Sequence, residues 1–295
     1  MKRLLLVWLR GKKEIRISAG QAKEITTRLL NLQRFVPSLF ARKPRSLEEI
    51  DRWKATEFRQ FLLYTGKLVL KGILQQDLYD HFLVLSTALC ILVCPRLTQE
   101  HSQYAHRLLK YFVSKSKELY GNEFIVYNVH CLIHLANDAV EYGGLDGCSA
   151  FLFENYLQEM KRLIRSTKNP LVQIIKRLQE SKNAEYGRTT SCKDSKISLK
   201  RPNNVFMLQD FHFCEVVSTS NEKDESGNKL LLCRVYQGTQ PMFNDPCNSC
   251  MIGVGTVQRR NTRMTLLPRS KLDKRAMLIE LDQRKCLFMA ILHDF

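Results

Sequence analysis

The hydrophobic pattern of this 295-residue chain changes once, near residue 200, and this change limits the folds that it can adopt. Up to about residue 180, apolar residues recur at the spacing of amphipathic helices. Segment 181–204 is rich in Ser, Thr, Lys and Asn, as linkers are. Beyond it come short runs of Val, Leu and aromatic residues, separated by turn signals. The sequence therefore predicts an α+β protein, with a mainly helical domain at 1–180, a linker at 181–204 and a small β-barrel or sandwich at 205–295.

Local signals place several helix boundaries. Ser46 and Glu49 have the spacing of a capping box. An apolar helix is predicted to end before Pro95, and the next one to end at Gly121. The longest apolar run, 82–93, is too short to span a bilayer, which needs about 20 residues. The sequence therefore predicts no membrane association.

The net charge of +17 is concentrated in two segments. Residues 1–59 carry 15 Lys and Arg against 6 Asp and Glu, and residues 161–201 carry 12 against 3. Between them lies a nearly neutral helical region. Two basic segments are the pattern expected of surfaces that bind a phosphate backbone. The alternative is a basic surface that serves only solubility.

The cysteines indicate a reducing, intracellular compartment. Ten are scattered along the chain, many within apolar runs, and no signal peptide precedes them. Cys247 and Cys250 form a C-x-x-C pair, but the second knuckle of a zinc ribbon is missing. They are therefore interpreted as loop cysteines.

The stretch Tyr127–Arg165 contains the strongest site candidates. His130 and His134 are four residues apart, so on a helix both imidazoles can reach one metal ion. Glu154 follows an apolar run at 151–153 and is expected to lie against a packed surface at the start of a basic helix. The alternatives are one buried and one exposed histidine, and a glutamate that only interacts with the helix dipole.

Two groups of cations are candidates for DNA contact. Lys161, Arg162 and Arg165 lie on or just beyond the predicted Glu154 helix, where only Glu180 offsets a run of cations that extends to Arg177. The second group is Arg42, Lys43 and Arg45, in a basic turn. The competing interpretation of both groups is an ordinary solvated surface. For Trp53 and Phe58, a core position is favoured over base stacking.

The two blocks Arg42–Leu70 and Tyr127–Arg165, in this order, resemble CACTA (En/Spm-like) DDE transposases. The second block also resembles, more distantly, the catalytic subunit of the V(D)J recombinase. In both families a pair of histidines lies about twenty residues before the last acidic residue of an RNase H-like active site. The resemblance covers most of residues 1–200.

The resemblance implies that Glu154 is the third catalytic carboxylate and that His130 and His134 are zinc ligands. It also implies Mg²⁺ and Zn²⁺ as cofactors of the parent enzymes, DNA as the partner and a nuclear location. By this resemblance the chain begins just after the second catalytic aspartate, so the two-metal site lacks two of its three carboxylates. The chain is then expected to be an inactive fragment or remnant of a transposase that at most binds DNA, with a homo-oligomer left open. The alternative is a host-adopted interaction protein without DNA-related activity.

Overall fold

The computed structural model describes residues 1–186, 197–224 and 227–293, and the fold is α+β as predicted. A helical N-terminal half precedes an eight-stranded antiparallel sheet. The linker predicted at 181–204 lies partly outside the described residues. The helices are α1 (Lys2–Arg10), α2 (Ala19–Leu32), α3 (Ala55–Gln60), α4 (Gly66–Val69), α5 (Gln76–Val93), α6 (Pro95–Tyr120), α7 (Tyr127–His130), α8 (Leu135–Glu141), α9 (Phe151–Arg162) and α10 (Pro170–Tyr186).

The chain forms two compact units. Unit 1 contains Met1–Asp146 and Ser198–Phe295, and unit 2 contains Gly147–Ile197. This division differs from the boundaries that the sequence suggested at residues 180 and 205. Within unit 1 the helices and the sheet share one hydrophobic core. The strands therefore do not form a module separate from the helices of that unit.

Residues with strong local preferences set the ends of the two longest helices in unit 1. Helix α5 ends at Val93, and Pro95 is the first residue of α6. Proline is tolerated at this position because the first N–H groups of a helix have no partner within the helix. Gly121 ends α6 with a φ of 90°, which a residue with a side chain rarely adopts. The predicted boundaries are confirmed. Helix α5 is long and apolar enough to cross a membrane, but 78% of it is buried inside the protein, as in a core helix.

The predicted capping box at Ser46 does not form. The Ser46 hydroxyl accepts a hydrogen bond from the Glu48 N–H and caps a 3₁₀ helix, Leu47–Arg52. The Glu49 carboxylate instead accepts a hydrogen bond from Arg45. The competing partner Arg45 explains this difference. The chain then continues through α3, a π-helical turn, Phe61–Thr65, and α4.

The sheet is curled into a half-barrel, with the strand order β4-β5-β8-β7-β1-β2-β3-β6. Because β4 and β6 are its two edges, it is neither the closed barrel nor the sandwich that the sequence predicted. The apolar run 205–217 forms two strands, because the chain turns at Phe211, which has a φ of 64°. The strands are β1 (Val205–Leu208), β2 (Phe213–Lys223), β3 (Lys229–Tyr236), β4 (Gln240–Pro241), β5 (Val254–Gln258), β6 (Thr262–Leu267), β7 (Leu272–Glu280) and β8 (Lys285–Ala290).

A buried polar contact joins the sheet to the helices of unit 1. The Tyr64 hydroxyl, in the π-helical turn, is hydrogen-bonded to Nδ1 of His293 and accepts a hydrogen bond from the Leu292 N–H. Burial lowers the pKa of His293 to about 3, so the imidazole is neutral at physiological pH. Phe40 packs edge-on against both rings. The end of the sheet is thereby fixed to the helical layer through satisfied polar groups.

Candidate nucleic-acid interface

The two histidines predicted as metal ligands lie close together on the surface of unit 1. Helix α7 ends at His130, and a 3₁₀ turn, Cys131–His134, links it to α8. The helix on which both imidazoles were expected to share one face is therefore interrupted. The ring centroids of His130 and His134 are 5.8 Å apart, with an angle of 72° between the ring planes. Both residues are exposed, so the alternative of one buried histidine does not hold.

The surroundings of this pair do not complete a metal site. A structural zinc ion takes four protein ligands, and the histidines supply two. Within residues 1–186, 197–224 and 227–293, no group of three or more His, Cys, Asp and Glu could hold an ion. The nearby Cys131 side chain is hydrogen-bonded to Tyr127, which raises the pKa of that phenol. The described residues therefore do not complete a zinc site of the kind that the resemblance implies, and metal binding by the pair stays a prediction.

Glu154 lies in the first turn of α9, in unit 2. The sequence suggested a carboxylate against a packed surface, but Glu154 is exposed and the preceding Phe153 is 71% exposed. Its position suits the favourable interaction of a carboxylate with the positive end of the helix dipole. One carboxylate cannot hold the two Mg²⁺ ions of a DDE site. No catalytic step follows from this arrangement.

Unit 2 has the cations that are most available to an anionic partner. Among the described residues, no ion pair involves any of the six cations between residues 161 and 177. Five of the six are exposed, and the sixth, Arg177, is half-buried. The six are Lys161, Arg162, Arg165, Lys168, Lys176 and Arg177. Unit 2 therefore presents positive charge that no described carboxylate neutralises through a direct contact.

The second predicted patch differs, because its cations have partners inside unit 1. Arg45 forms an ion pair with Glu57, a carboxylate only 4% exposed, and donates a hydrogen bond to the carboxylate of Glu49. The Lys43 ammonium donates a hydrogen bond to the Val36 carbonyl, and burial lowers the pKa of this lysine. Of these three cations, only Arg42 makes no side-chain hydrogen bond or ion pair within the described chain. Arg45 thus has a structural role that accounts for its charge.

Sequence reasoning missed a groove in unit 1. It has a volume of about 950 Å³ and is bounded by α2 and the residues after it, by α4 and by the end of β7. Its wall includes Arg28, Leu30, Arg34, Phe35, Lys43 and Leu281. No local motif marks the groove, because its residues come from sequence positions more than 200 apart. The adjacent Arg34 and Phe35, a cation beside an aromatic ring, were the sequence signal that could have indicated a binding surface here.

Comparison with known proteins adds one match. The model of a family described as a domain of unknown function (DUF8592) matches residues 165–291, which contain α10 and the whole sheet. The match covers less than half of the chain, and the description assigns no activity. No curated protein and no solved structure matches the chain.

Proposed function

We propose that this chain is an inactive fragment or remnant of a CACTA-type DDE transposase that binds DNA without sequence preference. In this proposal α9 corresponds to the last helix of the RNase H-like core, and Glu154 to the third catalytic carboxylate. The two resembling blocks, in their order along the chain, support this assignment. The protein then acts in the nucleus, where its partner is DNA.

The observation that carries the DNA-binding proposal is the set of six unpaired cations in unit 2. In unit 1, by contrast, several N-terminal cations contact carboxylates, as in the pairs Arg10–Asp51 and Lys12–Glu123. A cation that already has a carboxylate partner gains less from a phosphate than an unpaired one. Unpaired cations on a surface attract a polyanion and release its counterions on binding. We therefore expect the N-terminal cations to contribute less to DNA binding than their number suggests.

The first expected result concerns duplex DNA. The purified chain should bind duplexes of unrelated sequence with similar affinities in the micromolar range, and binding should weaken steeply between low and physiological salt. Fluorescence anisotropy over a salt series measures both the affinity and its salt dependence. Affinity that does not change with salt, or no binding at low salt, would contradict the proposal.

The second expected result concerns catalysis. With one carboxylate in place of three, the chain should not nick or join DNA in the presence of Mg²⁺ or Mn²⁺. A supercoiled-plasmid assay detects a single nick per molecule and is therefore a sensitive measurement. The matched control is Glu154→Gln, which should behave as the unmodified chain does. Nicking that is lost in this variant would show that other carboxylates complete the site.

A second candidate function is protein interaction, and one observation favours it. Helices α9 and α10 expose large apolar side chains, including Phe153 at 71%, Leu171 at 72% and Ile175 at 57%. Apolar surface of this kind often marks a protein interface. Salt-insensitive binding of a protein, together with absent DNA binding, would favour this second function over the first.

A further inference from the structure

The charges around the groove in unit 1 favour an anionic ligand. Its walls contain three cations, Arg28, Arg34 and Lys43. Glu280, the one carboxylate that lines it, already contacts Arg201 at 2.8 Å and Arg259 at 3.4 Å. The volume of about 950 Å³ lies at the upper end of the range for ligand sites, about 300–1,000 Å³.

The positive surface continues beyond the groove, past Leu281. This residue opens the turn between β7 and β8, which also contains Arg284. The Arg284 carbonyl accepts a hydrogen bond from the Arg259 N–H, so the exposed Arg259 and Arg260 lie beside the turn. Asp282 is the counter-charge here, and it accepts hydrogen bonds from the backbone N–H groups of residues 284 and 285. A chain-like anion that leaves the groove at Leu281 therefore meets further arginines.

Arg34 is the groove cation best placed to bind a ligand. Arg28 donates hydrogen bonds to the carbonyl of Lys71 and the carboxylate of Glu24, and Lys43 donates one to Val36. In the described part of the chain, no hydrogen bond or ion pair involves the Arg34 side chain. Its guanidinium lies over the Phe35 ring, 4.6 Å from the centroid. This contact leaves the outer face and the N–H groups of the guanidinium open for stacking and for phosphate binding.

The apolar part of the lining distinguishes between anionic polymers. Leu30 is 43% exposed and Leu281 is 41% exposed, and both lie beside the cations. Duplex DNA keeps its bases stacked inside the helix, so exposed apolar walls gain little from it. Unpaired bases expose flat apolar faces that stack on aromatic and guanidinium groups while the backbone stays anionic.

We propose that this groove binds single-stranded nucleic acid, with a phosphate at Arg34 and bases against Phe35, Leu30 and Leu281. A second, smaller cavity shares Arg34, Phe35 and Glu280 with the groove and supports an extended ligand. It has a volume of about 180 Å³, and Arg201 also lines it. The inference goes beyond the proposed function. Duplex binding through unit 2 and single-strand binding through unit 1 can each fail without the other.

The test compares two arginine–phenylalanine stacks of the same unit. The probe is a labelled oligothymidylate of about ten nucleotides, and its binding is measured by anisotropy. The double variant Arg34→Gln, Phe35→Leu should bind it about tenfold more weakly. The matched control is Arg96→Gln, Phe211→Leu, which removes a stack with a 4.8 Å separation that does not line the groove. The control should bind the probe as the unmodified chain does.

Because Phe35 is half-buried, a second variant tests the site with a smaller risk to folding. Leu281→Glu places a carboxylate at an exposed position of the groove wall and should also weaken oligothymidylate binding, while duplex affinity changes less. Circular dichroism verifies that each variant is folded. Three results would overturn the inference: unchanged binding in both groove variants, an equal loss for duplex and single strand, or displacement of the probe by an acidic amphipathic peptide but not by unlabelled oligothymidylate.

Discussion

The triple variant Lys161→Gln, Arg162→Gln, Arg165→Gln should flatten the salt dependence of duplex binding by up to about three units of log–log slope. Each cation that neutralises a phosphate contributes about 0.9 to this slope, because it releases condensed counterions from the DNA. Over a fourfold increase in salt, three such contacts correspond to about a 40-fold difference in affinity. The three residues are exposed, and no ion pair in the described chain involves them, so their removal leaves no carboxylate without its partner.

The control must remove the same charge elsewhere. Lys13, Lys110 and Lys117 are exposed cations of unit 1 for which the described structure shows no ion pair. Their replacement by Gln lowers the net charge equally and should change the slope by less than one unit. Replacement of Cys247 and Cys250 by Ser should leave it unchanged, since both are free thiols in the loop and 3₁₀ turn before β5. If the first triple variant keeps its affinity and its slope, Lys161, Arg162 and Arg165 are an ordinary solvated helix face.

The parts of the fold that local chemistry determines could be predicted from the sequence. Pro95 and Gly121 mark helix ends because of their own backbones. Proline has a fixed φ and no N–H to donate, and glycine readily adopts a positive φ. The closure of the sheet could not be predicted in this way. Whether β6 pairs with β4 to close a barrel depends on curvature that accumulates over eight strands, and the single runs contain no signal for it.

The candidate site shows the same limit for side chains. The spacing of His130 and His134 predicted two neighbouring imidazoles, and the rings are neighbours. A third ligand would have to come from a distant part of the chain, which spacing cannot reveal. Likewise, the charge of Arg45 was visible in the sequence, but its partner Glu57 is twelve residues away and is buried by the tertiary fold. The local sequence pattern thus identified the charged and metal-binding side chains. Only the fold determined which of them already had a partner within the protein.

The substitution Glu215→Gln should lower the free energy of unfolding by about 3 kcal/mol at neutral pH. Glu215 lies on β2 and is 6% exposed. Its carboxylate accepts hydrogen bonds from Arg201 at 2.9 Å and Arg234 at 3.2 Å, and Asn204 contributes another. A neutral amide would leave Arg234 without its charge partner and Arg201 with Glu280 alone. The expected loss lies at the low end for a buried pair because both arginine side chains are about 40% exposed.

Urea denaturation of the two chains measures this difference, and Glu222→Gln is the control. Glu222 lies on the same strand but is exposed, and no ion pair involves it in the described chain. Its replacement should change the free energy of unfolding by less than about 0.5 kcal/mol. An equal, small effect of both substitutions would show that water replaces the arginine contacts without loss.

The pH dependence of the Glu215→Gln effect separates lost charge from lost shape. Burial raises the pKa of Glu215, but the hydrogen bonds and charge of Arg201 outweigh it, so the folded-state pKa lies below the ordinary value of 4.5. A carboxylate with a depressed pKa stabilises the fold fully above pH 4.5. This stabilisation is lost as the pH falls through the folded-state pKa. Since Glu57 also has a lowered pKa, acid weakens both chains, and only their difference is diagnostic. That difference should shrink on acidification, because protonated Glu215 resembles Gln in charge. A difference that stays constant from neutral pH into acid would mean that the arginines stabilise the sheet through packing, independently of the carboxylate charge.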